Sequence, residues 1–320
     1  DNLITDNIEL IDSKVWSEVR DNAGYSGIAS VKRRDGSFDL APLFVGSQGT
    51  LGIISEVIMK ADYWNHQQTV VVAAFESYDV ARDAIDDLIK FDPAILEVID
   101  ASLFEAALKR GKKYGFFTDA TDNGKVGAAV LFTFDDPSER VQKKKLKKVL
   151  KSLKDREAFV KVAADEPAKL ELLALRDVSW VAVHPDGDDL SAPPLFDGAY
   201  VPLDRFEDFS HAVAKLAEKN HVELSIYGHA LEGVFHARPV LQMHKVADKQ
   251  KIFKLLGEYA NLVAAHNGHL IGEAAEGRLK APFAYKQIDD DVLALYAQIK
   301  KILDPHGILN PGVKEKIELK

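Results

Sequence analysis

Two histidines stand on either side of a glycine-bounded turn, and residues of this type at this spacing can bind a metal ion. His229 directly follows Gly228, and His236 comes shortly after Gly233. If two strands meet at this turn, the imidazoles converge, and a carboxylate from a neighbouring strand would complete a two-histidine, one-carboxylate site. The chain has 10 histidines, so a pair near a turn also arises by chance. The spacing leaves a metal site and ordinary surface histidines as alternatives.

A glycine-rich segment, 46–52, precedes a β-branched run that continues to Ile58. Glycines allow the backbone to approach a ligand closely before a strand begins. The segment lacks the Lys-Ser/Thr pair of a phosphate-binding P-loop, and it lacks the following helix of a dinucleotide fingerprint. By spacing alone, a generic glycine-rich turn is the favoured interpretation.

A single arginine, Arg176, stands near the end of the otherwise apolar helical run 172–177. Its guanidinium could bind a substrate carboxylate through two parallel hydrogen bonds. The alternative is a cation that interacts favourably with the carboxyl end of a helix. The turn-rich segment 304–312 follows a further helix and, taken alone, is a chain end made of turn residues.

The composition is that of a globular protein, and it excludes several kinds of site. The chain has 320 residues, of which 47% are hydrophobic and 28% charged, with a net charge of −9. This acidic balance argues against nucleic acid as the main partner, in spite of the basic run 143–148. No apolar stretch approaches the ~18–20 residues of a membrane span. Because the chain has no cysteine, disulfides, thiolate metal sites, iron–sulfur clusters and cysteine nucleophiles are excluded within this polypeptide.

From about residue 67 the hydrophobic pattern alternates between strands and amphipathic helices. Strands are predicted at 69–75, 125–134, 158–163, 198–201, 221–226, 234–240 and from 269, and helices at 78–90, 138–153, 167–177, 204–220 and 246–266. The βαβ rhythm occurs twice, so we predict an α+β fold in which two ferredoxin-like halves share an antiparallel sheet with flanking helices. The first sixty residues contain a helix at 2–10 and loops at 20–25 and 32–36.

Four segments occur in an order that resembles a known family. They are 46–54, 228–236, 272–278 and 304–312, of which the first reads Gly-Ser-Gln-Gly-Thr-Leu-Gly-Ile-Ile and the last Asp-Pro-His-Gly-Ile-Leu-Asn-Pro-Gly. Together they resemble the FAD-linked oxidases of the vanillyl-alcohol oxidase/p-cresol methylhydroxylase superfamily, in particular the D-lactate, glycolate and D-2-hydroxyglutarate dehydrogenases. The resemblance extends from Arg20 to Gly312. It implies that 1–61 is the C-terminal remnant of an FAD-binding, PCMH-type domain and that 62–320 is the substrate, or cap, domain.

The resemblance also implies roles for individual residues. Residues 20–25 resemble a cofactor-side loop, and FAD would lie against Gly46, Ser47, Gly49, Thr50, Gly52, Ile53, Ile54 and Asn310. The positions of metal ligands, for Zn or Mn, fall on His229, His236 and Glu273. Arg176 falls on a substrate-carboxylate position, and Arg278 is a second candidate for binding the substrate.

The implied reaction is the oxidation of a small 2-hydroxy acid. A divalent cation and an arginine hold the acid, a base takes the hydroxyl proton, and hydride passes from C2 to the flavin. Ala274 stands where the family has the histidine expected to act as that base, and alanine cannot move a proton. Either Glu276 or His269 replaces it, or the protein has a different substrate, or it has lost the activity and is a degenerate relative with a non-catalytic binding or structural role. Val234 also replaces a polar asparagine of the family and makes the pocket wall more apolar.

The sequence begins with Asp1 rather than methionine, and we expect it to be a fragment of a longer enzyme. In the family, the pyrophosphate-binding loop of the FAD domain precedes the part that is present here. This polypeptide alone is therefore expected to hold flavin weakly or not at all, and to be inactive. The resemblance further implies a redox partner or iron–sulfur module outside this chain, and a cytoplasmic location or peripheral attachment to a membrane through that partner.

Overall fold

A computed structural model describes residues 1–15, 21–61, 65–125, 127–183 and 190–315. Arg20, the first residue of the predicted cofactor-side loop, lies outside the described residues. The chain divides into two compact units. Unit 1 comprises Asp1–Lys60, Phe196–Pro202 and Phe253–Lys320, and unit 2 comprises Ala61–Leu195 and Leu203–Ile252. These units group residues by contact, and the domain assignment that the family implies, with its boundary after residue 61, stays a prediction.

Helices and short strands account for most of the described chain. The α-helices are α1 (Asn2–Asp6), α2 (Ile8–Lys14), α3 (Ala41–Phe44), α4 (Tyr78–Ile89), α5 (Ala101–Lys109), α6 (Gly115–Asp122), α7 (Glu139–Lys154), α8 (Glu166–Leu173), α9 (Val178–Val183), α10 (Phe206–Asn220), α11 (Val246–Ala265), α12 (Ala281–Ala284) and α13 (Asp290–Leu303). The strands are β1 (Thr69–Phe75), β2 (Ile95–Asp100), β3 (Ala128–Phe134), β4 (Phe159–Val162), β5 (Leu190–Ser191), β6 (Ala199–Tyr200), β7 (Leu224–His229), β8 (Val234–Pro239) and β9 (Leu241–Gln242). The 3-10 helices are Ser26–Ser30, Ala174–Asp177 and Leu203–Arg205.

An antiparallel sheet forms the centre of unit 2, where six strands follow the order β4-β1-β3-β2-β7-β8. Strands β1 to β4 alternate with α4 and α7 in β-α-β-β-α-β order, with α5 and α6 inserted between β2 and β3. Together with the spatial order β4-β1-β3-β2, this is a ferredoxin-like arrangement. Helix α10 then leads into the β7-β8 hairpin. The prediction of an α+β fold with an antiparallel sheet and flanking helices is confirmed.

The register of β2, β7 and β8 decides which side chains share one face of this sheet. Glu97 on β2 lies opposite His229 on β7. Tyr227 on β7 lies opposite His236 on β8. Side chains alternate along a strand, and directly opposed residues project to the same side of the sheet. Glu97, Tyr227, His229 and His236 therefore belong to one face.

An apolar core covers the rest of this face. The buried residues of the core include Val70, Val72 and Ala74 from β1, Ile99 from β2, Leu131 from β3, and Phe104, Leu172, Leu175 and Val178 from the helices packed on the sheet. Leu175 belongs to the 3-10 helix Ala174–Asp177 that follows α8. Because Leu175 is buried, the neighbouring Arg176 is held beside the polar residues of this face.

Unit 1 has a core of its own, where α2, α13 and the 3-10 helix Ser26–Ser30 meet. Ile11, Ile28 and Leu295 are buried in it. The rings of Tyr25 and Tyr296 pack edge to face, with centroids 5.7 Å apart, an arrangement that aromatic pairs prefer.

Most predicted elements are present with small shifts at their ends, but the β-branched run to Ile58 is not a strand. Residues 52–60 have no regular structure, and Ile53 and Ile58 are 90% and 94% exposed. A strand requires a neighbour for its backbone hydrogen bonds, and none of the described strands pairs with this segment. The strand predicted from His269 is reduced to an isolated bridge with Tyr200. Strand β2 was not predicted.

Among the described residues, no helix combines the length and apolar character needed to cross a bilayer.

Leu131 is fully buried in the core of unit 2, so its truncation tests that core. We expect Leu131→Ala to lower the free energy of unfolding by about 2–5 kcal/mol, because apolar burial is lost and a cavity remains. Leu170→Ala removes the same atoms at a position that is 63% exposed, and should change stability by less than about 1 kcal/mol. Urea unfolding followed by circular dichroism measures both. Equal losses in the two variants would contradict the assigned core.

Candidate active site

A buried carboxylate, Glu97, is the centre of a polar cluster in unit 2. Its side chain is 2% exposed, and Arg176 pairs with it through two contacts, from Nη2 to Oε1 at 2.7 Å and from Nε to Oε2 at 3.0 Å. Two-point pairing of this kind is a strong form of the arginine–carboxylate interaction. It leaves the Nη1 edge of the guanidinium turned away from Glu97, on a side chain that is 43% exposed.

Two further groups share the same carboxylate. The Tyr227 hydroxyl donates a hydrogen bond to Oε2 of Glu97, and Nδ1 of His229 lies 3.4 Å from Oε1. Burial alone would raise the pKa of Glu97, but the hydrogen bonds from His229 and Tyr227 and the charge of Arg176 outweigh it and lower the pKa. Burial and the Glu97 charge raise the pKa of Tyr227. Glu97 is thus an anion at neutral pH, and the phenol keeps its proton.

His229 and His236 lie on neighbouring strands of the hairpin. Their ring centroids are 5.4 Å apart, and the ring planes are nearly perpendicular. Because Nδ1 of His229 faces Glu97, the geometry favours the tautomer with its proton on Nδ1 and a lone pair on Nε2. A carboxylate that orients an imidazole in this way is typical of zinc sites. Two of the predicted metal ligands, His229 and His236, thus lie side by side within unit 2, and two imidazoles are donors that suit Zn²⁺.

The third predicted ligand, Glu273, belongs to unit 1. The residue is exposed, and its carbonyl accepts a hydrogen bond from Nδ2 of Asn22 at 2.7 Å. Ala274, at the position of the missing base, is exposed beside it. The role of Glu273 as a ligand stays a prediction.

Glu276, one of the two candidate bases, is a buried anchor of unit 1. Its Oε1 accepts hydrogen bonds from the Gly24 amide at 2.8 Å and the Tyr285 hydroxyl at 2.6 Å. Its Oε2 accepts one from Nζ of Lys314 at 2.8 Å, and both side chains of this ion pair are 0% exposed. Because three donors already engage the carboxylate, the geometry gives Glu276 a structural role. Its assignment as a base stays a prediction.

His269, the other candidate base, is buried beside Asp21. Its Nδ1 lies 4.0 Å from Oδ2 of Asp21, and each side chain is 11% exposed. Burial lowers the pKa of His269 to about 4, so the imidazole is neutral at pH 7. Burial raises the pKa of Asp21 to about 7, with a smaller increase from the charge of Glu276 and opposing effects from the Ala23 amide and Lys314. A carboxyl that titrates near neutrality is in the range of effective general bases.

The glycine-rich segment, the segment 272–278 and the C-terminal turn meet in unit 1 through Gln48. Its side-chain Oε1 accepts a hydrogen bond from the Gly277 amide at 3.0 Å, and its carbonyl accepts one from Nδ2 of Asn310 at 2.6 Å. Arg278 donates through Nη2 to the Pro311 carbonyl at 2.7 Å. Three of the four ordered segments are therefore in direct contact. Arg278 is engaged in holding the chain here, and its role toward substrate stays a prediction.

The glycine-rich segment offers open backbone to a ligand. Gly46 and Gly49 have φ angles of 71° and 73°, a conformation that favours glycine. In the described part of the chain, no atom beyond the two neighbouring residues lies within 4 Å of the place where a Cβ on Gly49 would stand, whereas one on Gly52 would lie 3.1 Å from the Phe44 ring. Packing therefore explains Gly52 but not Gly49.

Buried residues between Gly46 and Gly52 fix the loop in place. Ser47 and Thr50 are buried, and Oγ1 of Thr50 donates to the Ser47 carbonyl at 2.7 Å. Nζ of Lys300 donates to the Thr50 carbonyl at 2.8 Å. An exposed glycine backbone on a fixed support fits the FAD that the resemblance implies. Ile53 and Ile54, also predicted to touch FAD, follow as exposed chain without regular structure.

Comparison with known proteins identifies the family. Residues 65–313 match the family described as FAD linked oxidases, C-terminal domain. The chain belongs to the FAD-linked oxidase family. This FAD-linked oxidase chain is 26% identical over 279 residues to glycolate oxidase subunit GlcD of Bacillus subtilis, covering 86% of this chain and 57% of that protein.

Two other proteins are similar to this chain. The mitochondrial D-lactate dehydrogenase [cytochrome] of Kluyveromyces lactis is 25% identical over 305 residues, covering 91% of this chain and 50% of that protein. The 4-ethylphenol oxidase of Gulosibacter chungangensis has the same fold with a TM-score of 0.57 at 14% identity, covering 78% of this chain and 54% of that one. The chain spans about half the length of the relatives it matches.

Glu97, Tyr227 and Asp21 were missed by sequence patterns. Glu97 is a single charged residue inside the apolar run 95–99, and a buried charge in a strand requires a partner. That signal could have identified it. Asp21 carries no such signal, because its burial arises from residues distant in the chain.

The raised pKa of Asp21 predicts how the stability of the folded chain depends on pH. Its pKa is about 7 in the folded chain against an ordinary value of 3.8, so the folded state holds a proton that the unfolded state loses. The free energy of unfolding should therefore fall as pH rises from about 4 to about 7, by on the order of a few kcal/mol.

Asp21→Asn should remove this fall, because the amide stays neutral and can still accept the hydrogen bond from the Ala23 amide. The variant is expected to be more stable than the wild type at pH 8 and nearly equal to it at pH 4. Denaturant titrations at both pH values measure the difference, and Asp6→Asn, at an exposed position of the same unit, is the control. A wild-type advantage at pH 8 would contradict the assignment.

Proposed function

We propose that this chain is the substrate-binding part of an FAD-dependent oxidoreductase that oxidises a small 2-hydroxy acid. The observation that carries the proposal is the cluster of Glu97, Arg176, Tyr227, His229 and His236 on one face of the sheet, hereafter the Glu97 cluster. Glycolate and D-lactate, named in the relatives, are both 2-hydroxy acids and share a carboxylate beside the reacting carbon. Family membership and this donor set support the same class of substrate.

In the proposed reaction the side chains of the oxidase bind the acid and move its proton. The Nη1 edge of Arg176 binds the substrate carboxylate. Nε2 of His229 and the His236 ring would hold Zn²⁺ or Mn²⁺, and a bound cation supplies polarisation of the substrate hydroxyl. FAD, when bound against the open backbone around Gly49, supplies the acceptor for the hydride of C2.

We favour His269 over Glu276 as the group that accepts the hydroxyl proton. The imidazole of His269 is neutral at pH 7, whereas both carboxylate oxygens of Glu276 already accept hydrogen bonds. An ionised Asp21, 4.0 Å from Nδ1 of His269, favours the protonated imidazole that results. A redox partner that takes electrons onward, outside this cysteine-free chain, is part of the same proposal.

Turnover by the full-length gene product with FAD tests the proposed activity. We also propose that the 320-residue chain alone holds flavin weakly, so the assay uses the longer protein. Dye reduction with glycolate, D-lactate and D-2-hydroxyglutarate should detect at least one substrate. Arg176→Ala should lower kcat/KM by about 10- to 100-fold, mainly through KM, because the carboxylate contact is lost.

Arg140→Ala, at an exposed position on α7, should leave kcat/KM unchanged. No turnover with any of the three acids would favour the alternative, in which the protein lacks a catalytic base because of Ala274 and is a degenerate relative with a binding or structural role.

Metal analysis tests the two-histidine site directly. After loading with Zn²⁺ or Mn²⁺ and desalting, the 320-residue chain should retain about one equivalent, and His229→Ala should lose it, because each imidazole supplies a ligand bond. His66→Ala removes an exposed histidine of the same unit and should retain the metal. Glu273→Gln tests the predicted third ligand in the same measurement. A wild-type chain without metal would leave His229 and His236 as polar groups of the pocket.

A further inference from the structure

The Glu97 cluster contains its own charge compensation. Arg176 carries a positive charge, but the buried anion of Glu97 lies against it at two points. The Arg176–Glu97 pair is electrically neutral as a whole. An anionic ligand that approaches the outward edge of Arg176 therefore meets a guanidinium whose charge is largely cancelled.

The Glu97 carboxylate also contacts His229, where it favours the binding of a cation instead of opposing the binding of an anion. Oε1 of Glu97 faces both Nη2 of Arg176 and Nδ1 of His229. A carboxylate on Nδ1 makes the other ring nitrogen a stronger and better oriented ligand. One buried anion thus weakens the anion site at Arg176 and strengthens the cation site at His229.

We propose that Glu97 is a positioning residue that makes binding of the 2-hydroxy acid at Arg176 depend on a divalent cation already held by His229 and His236. Because Arg176 is paired with Glu97 at two points, a cation must supply the positive charge that the acid requires, so the metal binds before the acid. The inference rests on the proposed function and adds an order of binding and a residue that imposes it.

Removal of the Glu97 charge should change the two affinities in opposite directions. We expect Glu97→Gln to weaken Zn²⁺ binding by about 10- to 100-fold, because the carboxylate on Nδ1 of His229 is lost. It should also strengthen glycolate binding in the absence of metal by about tenfold, because the charge of Arg176 is no longer cancelled on a partly exposed side chain. A merely structural role for Glu97 would weaken both.

Isothermal titration of the 320-residue chain measures these affinities, with Zn²⁺ alone, glycolate in the presence of EDTA, and glycolate after zinc loading. The wild type should bind glycolate at least about tenfold more tightly with zinc than without it. Circular dichroism shows which variants are folded. Tyr227→Phe removes one hydrogen bond to Glu97 but keeps the charge of Glu97. This variant should therefore show no gain in metal-free glycolate binding.

Two further variants separate the role of Arg176 from a general change of charge. Glu105→Gln removes a carboxylate at an exposed position on α5 and should bind both ligands as the wild type does. The double variant Glu97→Gln/Arg176→Gln should lose the gain in glycolate affinity. If the gain persisted, the anion would be bound elsewhere, for example at Arg238 of β8, and the inference would be overturned.

The remaining outcomes separate this inference from the proposed function. Zinc binding by the wild type, with a folded Glu97→Gln variant that shows no gain for glycolate, contradicts the inference alone. Equal glycolate affinity of the wild type with and without zinc contradicts it as well. A wild-type chain that binds no zinc contradicts both the inference and the proposed metal site.

Discussion

Burial of the Glu97 carboxylate is the constraint on which the organisation of the candidate site depends. A charge in this position costs several kcal/mol unless it is paired and hydrogen-bonded, and here Arg176, Tyr227 and His229 meet that requirement together. Each partner loses freedom in return. The guanidinium of Arg176 has one edge directed away from Glu97, and the imidazole of His229 has one ring nitrogen directed away from it. A single buried anion thus orients both groups that we assign to ligand binding.

Unit 1 is organised by a comparable set of polar contacts around Gln48 and Glu276. Gln48 joins the glycine-rich loop to Gly277 and Asn310, and Glu276 joins Gly24, Tyr285 and Lys314. These contacts link residues far apart in the chain. They bring three of the four ordered segments together, since each of these three supplies a donor or an acceptor to another.

The sequence predicted the class of fold better than it predicted which polar side chains contact one another. Hydrophobic period and turn residues indicated β1, α4, α7 and the β7-β8 hairpin, because local pattern determines these elements. The prediction of a strand at 53–58 was wrong, because β-branched composition does not supply a neighbouring strand for pairing. The ion pair of Arg176 with Glu97 was not predicted, because it depends on the register of β2 against β7 and on the burial of Leu175, which are set by tertiary packing.

The protonation of His229 is the most direct test of this account. Long-range ¹⁵N–¹H correlation spectra of the metal-free chain, with His229 assigned by comparison with His229→Ala, report which ring nitrogen carries the proton. A Glu97 carboxylate facing Nδ1 predicts the Nδ1-protonated tautomer in the wild type and loss of that preference in Glu97→Gln. A wild-type His229 protonated on Nε2 would contradict the assigned orientation, and with it the role of Glu97 at the centre of the site.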